Sequence, residues 1–317
     1  MVFGQGFLQS ISFIGNPFNS RNVRLLNKAI HNTINQPVNS IMTKEVISVG
    51  PESKLNDAIK LMVRKNISCV VVKDQEVPVG ILTERDILMK LPLDSKKVVD
   101  MKVKDLMSGK PVCGTPQTSL FEASNVMISN HFRKYPIVEE GRLVGLITQT
   151  DLVRSMEKFA THTLIETVDL CQVRHVMSTT IISAPKHSKF VEARKIMQDH
   201  NISCILTLND QGMLSGIFTE KNFLEQVGLN LDRLNILNLE NIMVYPVVSI
   251  NPDLTIFKAN LLMLNRNFRR LPVVVDNMLM GIITQTDLHR EMYKFLGTTL
   301  FKINSGQLKE VEVQVLS

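Results

Sequence analysis

Four copies of one short motif run along the chain, and their spacing constrains the fold more than any other feature. Gly80-Ile-Leu-Thr-Glu-Arg-Asp86 recurs as Gly145-Leu-Ile-Thr-Gln-Thr-Asp151, as Gly216-Ile-Phe-Thr-Glu-Lys-Asn222 and as Gly281-Ile-Ile-Thr-Gln-Thr-Asp287. The threonines Thr83, Thr148, Thr219 and Thr284 stand 65, 71 and 65 residues apart. A methionine opens each unit (Met42, Met107, Met177 and Met243), at intervals of 65, 70 and 66. Two distant landmarks keep step, which is the signature of a repeat architecture. A longer period lies over the first. Asn66-Ile-Ser-Cys69 returns as Asn201-Ile-Ser-Cys204, and Phe132-Arg-Lys-Tyr-Pro136 as Phe268-Arg-Arg-Leu-Pro272. Thr83 to Thr219 and Thr148 to Thr284 are both 136 residues. The chain is a two-unit module, duplicated.

Each unit carries the same local signals. Pro51, Pro116, Pro185 and Pro252 each precede an amphipathic run. In the first unit Leu55, Ala58, Ile59, Met62 and Val63 fall on one helix face. A β-branched strand follows, Cys69-Val-Val-Val72 in unit one and Leu271-Pro-Val-Val-Val275 in unit four. Then come a turn, a second strand ending in Thr, and a second helix starting near Asp. The order is β-α-β-β-α, an α+β class. A unit of about 60 residues has a marginal core, so neighbouring units should pack together.

Composition excludes several function classes. The net charge is +6, but residues 1–44 hold Arg21, Arg24, Lys28 and Lys44 and no acid. Without them the balance falls to +2, too even for the basic face that nucleic acid needs. Tryptophan is absent and aromatics are 5%, which argues against a base-stacking platform. No run of 18 or more apolar residues appears, so no membrane span is expected. Cys69, Cys113, Cys171 and Cys204 are dispersed without a CxxC pair, which fits a reducing, cytoplasmic setting. The seven histidines lack metal-ligand spacing, the sixteen methionines fit core positions, and no nucleophile or P-loop motif is present. No metal, no cofactor and no catalysis are expected.

These repeats resemble the cystathionine-beta-synthase (CBS) domain family, whose units occur in tandem pairs called Bateman modules. The resemblance covers residues 38 to about 296. It divides the chain into a basic extension, 1–37, a first pair, 38–160 (units 38–92 and 103–158), a second pair, 161–296 (units 173–228 and 239–296), and a tail, 297–317. It is similar overall to four-unit adenine-nucleotide sensors, including the gamma subunit of AMP-activated protein kinase. The resemblance implies sheet-paired units with two clefts per pair. The clefts would hold adenosine-containing ligands, namely AMP, ADP, ATP or S-adenosylmethionine, and binding would regulate an effector protein. Paired modules also often form homodimers.

Three sets of residues carry these expectations. Thr83 with Asp86, Thr148 with Asp151, Thr219 with Asn222 and Thr284 with Asp287 have capping-box spacing. That cap stands with or without a ligand. The functional reading adds phosphate attraction at a helix start and ribose hydroxyls on the carboxylate. Asn222 departs, because it cannot offer charge-assisted acceptance. Arg133-Lys134 and Arg269-Arg270 match the basic pair that reaches ligand phosphate in the resembled sensors. One solvated charge at a strand end needs no explanation, but two pairs 136 residues apart are harder to dismiss. Ile67-Ser68-Cys69 and Ile202-Ser203-Cys204 would line the adenine pockets, though buried core is the usual fate of such residues. His131 reads as a solvated neighbour of the first pair.

Outside the repeats, Val23, Leu25, Leu26, Ala29, Ile30 and Ile34 fit one helix face, with Ser20 as N-cap. Leu152, Val153, Met156, Phe159, Leu164, Ile165 and Val168 suggest a continuous helix linking the modules, and Val311–Val315 alternates like a strand. A ligand sensor is the leading reading. A scaffold with vestigial clefts comes second, and an enzyme subunit third.

Overall fold

The computed structural model describes residues 28–159, 172–229, 234 and 236–305. Unit one runs β1 (Ser48–Val49), α1 (Leu55–Lys65), β2 (Cys69–Asp74), β3 (Val77–Thr83) and α2 (Glu84–Lys90), followed by a short α3 (Ser95–Val98). Leu55, Ala58, Ile59 and Met62 of α1 are buried, the face the periodicity defines. Asn66 closes α1 in the left-handed region (φ 51°), which asparagine tolerates, and delivers the chain into Ser68 and β2. Unit two has α4 (Leu120–Ser129), β4 (Lys134–Glu139), β5 (Arg142–Thr148) and α5 (Gln149–Ser155). Unit three has β6 (Ser183–Pro185), α6 (Phe190–Asp199), β7 (Cys204–Leu208), β8 (Leu214–Thr219) and α7 (Glu220–Leu229). Unit four has α8 (Ile256–Arg266), β9 (Arg270–Val275), β10 (Met278–Thr284) and α9 (Gln285–Asn304).

The expected β-α-β-β-α order holds fully in units one and three, whose first strand pairs in parallel with the second. In units two and four that strand shrinks to one parallel bridge, Gly114 with Ile137 and Ile250 with Val273. Proline is the reason. Val71 and Leu206 donate backbone N–H groups to Ile47 O and Ile182 O, at 3.3 and 3.5 Å. The corresponding residues are Pro136 and Pro272, which have no N–H to give.

Within each pair the units exchange their opening segments. Thr43 pairs with Leu146 and Ser108 with Ile81; in the second pair Ser178 pairs with Ile282 and Val244 with Ile217. Small sheet-side cores close these interfaces, Cys69, Val71, Ile81 and Leu146 in one pair and Cys204, Leu206 and Ile217 in the other. The two large cores lie between the pairs. Helices of units one and three share one, around Met62, Leu88, Phe190 and Phe223. Units two and four share the other, around Leu120, Leu152, Leu288 and Met292. Burying each such side chain contributes roughly 1.5–3 kcal/mol. The result is a ring of four units in which sheet contacts alternate with helix contacts.

Buried polar side chains add to both helix interfaces. Arg194 of α6 is buried and donates to Leu88 O (2.7 Å) and Leu91 O (2.6 Å), the open carbonyls at the end of α2. Desolvation pulls its pKa down to about 10. On the other side His289 of α9 sits between Ser124 Oγ (2.9 Å) and Gln149 Nε2 (3.1 Å).

The continuous linking helix does not form over the described part of its span. α5 stops at Ser155, whose hydroxyl donates to Leu152 O at 2.7 Å within its own turn. Met156–Phe159 is 3-10 helix. Leu164, Ile165 and Val168 lie outside the described residues, as do Ser20, Val23, Leu25, Leu26 and the tail 311–315. Residues 28–34 are helical, and Ile30 and Ile34 are buried in the core of units two and four.

Candidate functional site

The Thr-x-x-Asp motif places each second helix with its N-terminus at a cleft. Thr83 N–H donates to Asp86 Oδ2 at 3.0 Å, and Asp86 N–H returns to Thr83 Oγ1 at 3.2 Å. The same box forms at Thr148–Asp151 and Thr284–Asp287. It also forms at Thr219–Asn222, where the amide oxygen accepts at 3.1 Å. The cap therefore does not need the carboxylate, and it uses one oxygen only. The other oxygen differs from unit to unit. Asp86 Oδ1 accepts from Lys90 Nζ (2.7 Å) and Ser108 Oγ (3.1 Å), and Asp287 Oδ1 from Arg290 (3.1 Å). Asp151 Oδ1 makes no hydrogen bond among the described residues.

Three cavities lie between the helix starts of one unit and the strand entry of its pair-mate. The first, about 290 Å³, joins Ile67, Ser68 and Cys69 of unit one to Thr148 of unit two. The second, about 510 Å³, joins Ser108–Val112 and Arg133-Lys134 of unit two to Thr83 and Asp86 of unit one. The third, about 500 Å³, joins Ile202, Ser203 and Cys204 of unit three to Thr284 of unit four. The proposed adenine-side and helix-side residues thus meet from different units of the same pair. Asp151 and Asp287 do not line these cavities, although their threonines do. Nor do Thr219, Asn222 and Arg270.

The basic pairs divide their roles. Arg133 and Arg269 turn to the centre of the ring. Arg133 meets Glu220 at 3.3 Å and Arg269 meets Glu84 at 2.7 Å, each joining opposite modules. Burial disfavours the charge on Arg269, but Glu84 and then Glu220 offset it, and its pKa ends above the ordinary value. Lys134 and Arg270 instead hold their own pair together. Lys134 Nζ donates to Ser68 Oγ (2.7 Å) and Arg270 Nη2 to Ser203 Oγ (3.0 Å). Arg270 is buried, its Nε lacks a partner among the described residues, and desolvation lowers its pKa. Cys69 and Cys204 are buried thiols whose pKa values are raised by desolvation, as structural cysteines are. His131 is exposed and occupies a left-handed turn (φ 55°).

Sequence reasoning missed the residues at the hub of the ring. The first helical residues Glu84, Gln149, Glu220 and Gln285 are all buried. Arg85 donates to Glu220 at 3.0 Å, Thr150 to Gln285 at 2.8 Å and Thr286 to Gln149 at 3.1 Å. The signal was present, since Glu and Gln alternate after the four threonines with the same 136-residue period as the basic pairs. Among the described residues no cluster of three or more His, Cys, Asp or Glu could hold a metal ion, and no helix is long and apolar enough to cross a membrane.

A four-unit ring with pairwise clefts is the architecture of tandem CBS proteins. The CBS domain family matches residues 38–93, 103–158, 173–228 and 239–294, and the chain belongs to that family. Protein MJ1225 of Methanocaldococcus jannaschii is 28% identical over 200 residues, covering 61% of this chain and 70% of that protein. A second protein of that organism, MJ1404, is 26% identical over 272 residues; the match covers 80% of this chain and 61% of that relative's length. The crystal structure of MJ1225, described there as a candidate archaeal homologue of g-AMPK, superposes with a TM-score of 0.72 at 20% identity, covering 81% of this chain and all of that one.

Proposed function

We propose that this chain is a non-catalytic regulatory protein that binds adenosine-containing ligands in the clefts between paired units. AMP, ADP and ATP are the first candidates and S-adenosylmethionine the next. The carrying observation is the composite cleft. An apolar strand entry, a helix N-terminus with a capping threonine and guanidinium groups from the opposite module converge on one cavity. Those are the parts that an adenine, a ribose and a phosphate each require. Within this reading, Thr83, Asp86, Thr148 and Thr284 serve the ribose and phosphate directly, and Asp151 and Asp287, which are off the cavity walls, reach the ribose only if the ligand opens the cleft toward them. Arg133, Lys134 and Arg269, with Arg270 off the cavity walls, serve the phosphate, and Ile67–Cys69 and Ile202–Cys204 the adenine. The Thr219–Asn222 cleft is the weakest binder.

Ligand state passes to an effector protein through the hub, because Arg133 and Arg269 face the cavities and also bind Glu220 and Glu84 across the ring. A ligand shifts the ring only as far as its affinities for two arrangements differ. A homodimer would use faces other than the helices that join the modules, which are already buried within one chain. Free thiols at Cys69, Cys113 and Cys204 agree with a reducing cytoplasm.

The test is a thermal-shift titration of the full chain with AMP, ADP, ATP, S-adenosylmethionine, NAD and cyclic di-AMP. A ligand at a hundred times its Kd adds about 2.7 kcal/mol of stability, worth several degrees at roughly 2–4 °C per kcal/mol. A shift with one adenosine ligand supports the sensor. No shift with any, in a chain that melts cooperatively, moves the assignment to the scaffold with vestigial clefts.

A further inference from the structure

We infer that Arg290 makes the third cleft selective for ligand charge, so that its affinity rises with the number of phosphates. The inference rests on the adenosine reading and adds which cleft counts phosphates and by which side chain. Arg85, Arg133 and Arg290 reach this cavity from units one, two and four, and no carboxylate is among the described residues that line it. The second cavity is comparable in volume and richer in cations, yet Glu84, Asp86 and Glu220 share its wall. A polyphosphate entering there meets three carboxylates among the cations, whereas the charged side chains on the wall of the third are guanidinium and imidazole groups, whose carboxylate partners stand off the wall.

Arg290 is the cation most easily recruited. Glu220 already holds Arg85 and Arg133, at 3.0 and 3.3 Å, and that carboxylate is only 1% exposed. Arg290 is 51% exposed and rests on two carboxylates of its own helix, Asp287 Oδ1 at 3.1 Å and Glu291 at 3.6 Å. With its own guanidinium half in solvent, Arg290 is held less firmly than Arg85 or Arg133. Arg290 itself lines the third cavity, whereas Asp287 does not, so the guanidinium can turn toward a bound phosphate without the carboxylate following. The position also recurs with a pattern. Arg290 follows Thr284 by six residues, and Arg154, which lines the first cavity, follows Thr148 by six. The matching residues in units one and three are Met89 and Glu225. The cation therefore belongs to the helices that wall the first and third clefts.

The test reads the third cleft by itself. Hydrogen exchange of peptides covering residues 178–182 and 201–206 is followed by mass spectrometry while the full chain is titrated with adenosine, AMP, ADP or ATP. Wild type should bind more tightly with each added phosphate. Arg290→Gln should weaken ATP about ten-fold, the scale of one charge-assisted hydrogen bond. It should weaken AMP less and leave adenosine within about two-fold. Arg290→Lys should restore part of the ATP affinity. An equal loss for adenosine and ATP, or an unchanged ATP affinity, overturns the inference while leaving the adenosine reading intact. If none of the four slows exchange in wild type, the third cleft is no nucleotide site and the inference fails; the adenosine reading falls with it only if the thermal-shift titration is silent as well.

Discussion

Met42 of the first unit packs against Gly145 of the second, and the ring repeats this pairing at every sheet interface. Met107 lies on Gly80, Met177 on Gly281 and Met243 on Gly216. The two most regular landmarks of the sequence are thus one structural device. The methionine that opens a unit fills the space left by the missing side chain of its pair-mate's second strand.

The four glycines should not tolerate alanine equally. A Cβ on Gly80 would approach Met107 Sδ to 2.5 Å and the backbone Ser108 O to 2.7 Å. At Gly145 the three nearest atoms all belong to the Met42 side chain, which can rotate away. Gly80→Ala should therefore lose about 1–3 kcal/mol, and Gly145→Ala distinctly less, in urea unfolding. Equal losses would show that the backbone collision is not what matters.

Asp287 combines a cap and a charge, and Asn222 shows how to separate them. Asp287→Asn should keep the box seen at Thr219 and melt near wild type. Asp287→Ala should lose the half of the box that accepts from Thr284 N–H, about 1 kcal/mol, while Thr284 Oγ1 still accepts from the residue-287 N–H. If the carboxylate serves a ribose, both variants weaken nucleotide binding in the third cleft. Asp287→Asn binding as well as wild type would leave the residue with its cap alone.

His289 predicts a pH dependence. Burial holds its pKa down to about 4, against 6.5 for the free side chain. Between those values the unfolded chain binds a proton that the folded chain does not, so stability is full above pH 6.5 and falls as the pH drops toward 4. The loss is on the order of 3 kcal/mol if the full difference is expressed. Melting temperature measured from pH 8 to pH 4 should fall more steeply in wild type than in His289→Gln. Parallel curves would place the acid sensitivity elsewhere.

Much of each unit was readable along the chain. The face of α1 and the capping box are local, each set by residues within a turn or two of one another. The first strands of units two and four were over-read, because Pro136 and Pro272 remove a donor from the neighbouring strand and not from the strand itself. Over its described part, the linking helix gives way to 3-10 helix at Met156. Its apolar residues fit a helix, but Ser155 diverts a carbonyl that periodicity does not register.

The site was legible only in part. Ser68 and Lys134 were assigned to different parts of a ligand, and the fold joins them to each other at 2.7 Å. Arg133 and Arg269 were singled out for phosphate, and their present partners are Glu220, 87 residues away, and Glu84, 185 away. No spacing rule links such positions.

The sequence by itself determined the repeat, the unit and the pairing of units into modules, because turns, caps and hydrophobic periods are short-range chemistry written four times. Tertiary structure alone decided which helices face each other across the ring. It also decided which arginines meet carboxylates and which cavity escapes them. Those outcomes depend on how whole apolar faces pack, and packing brings together side chains whose distance along the chain carries no information about their distance in space.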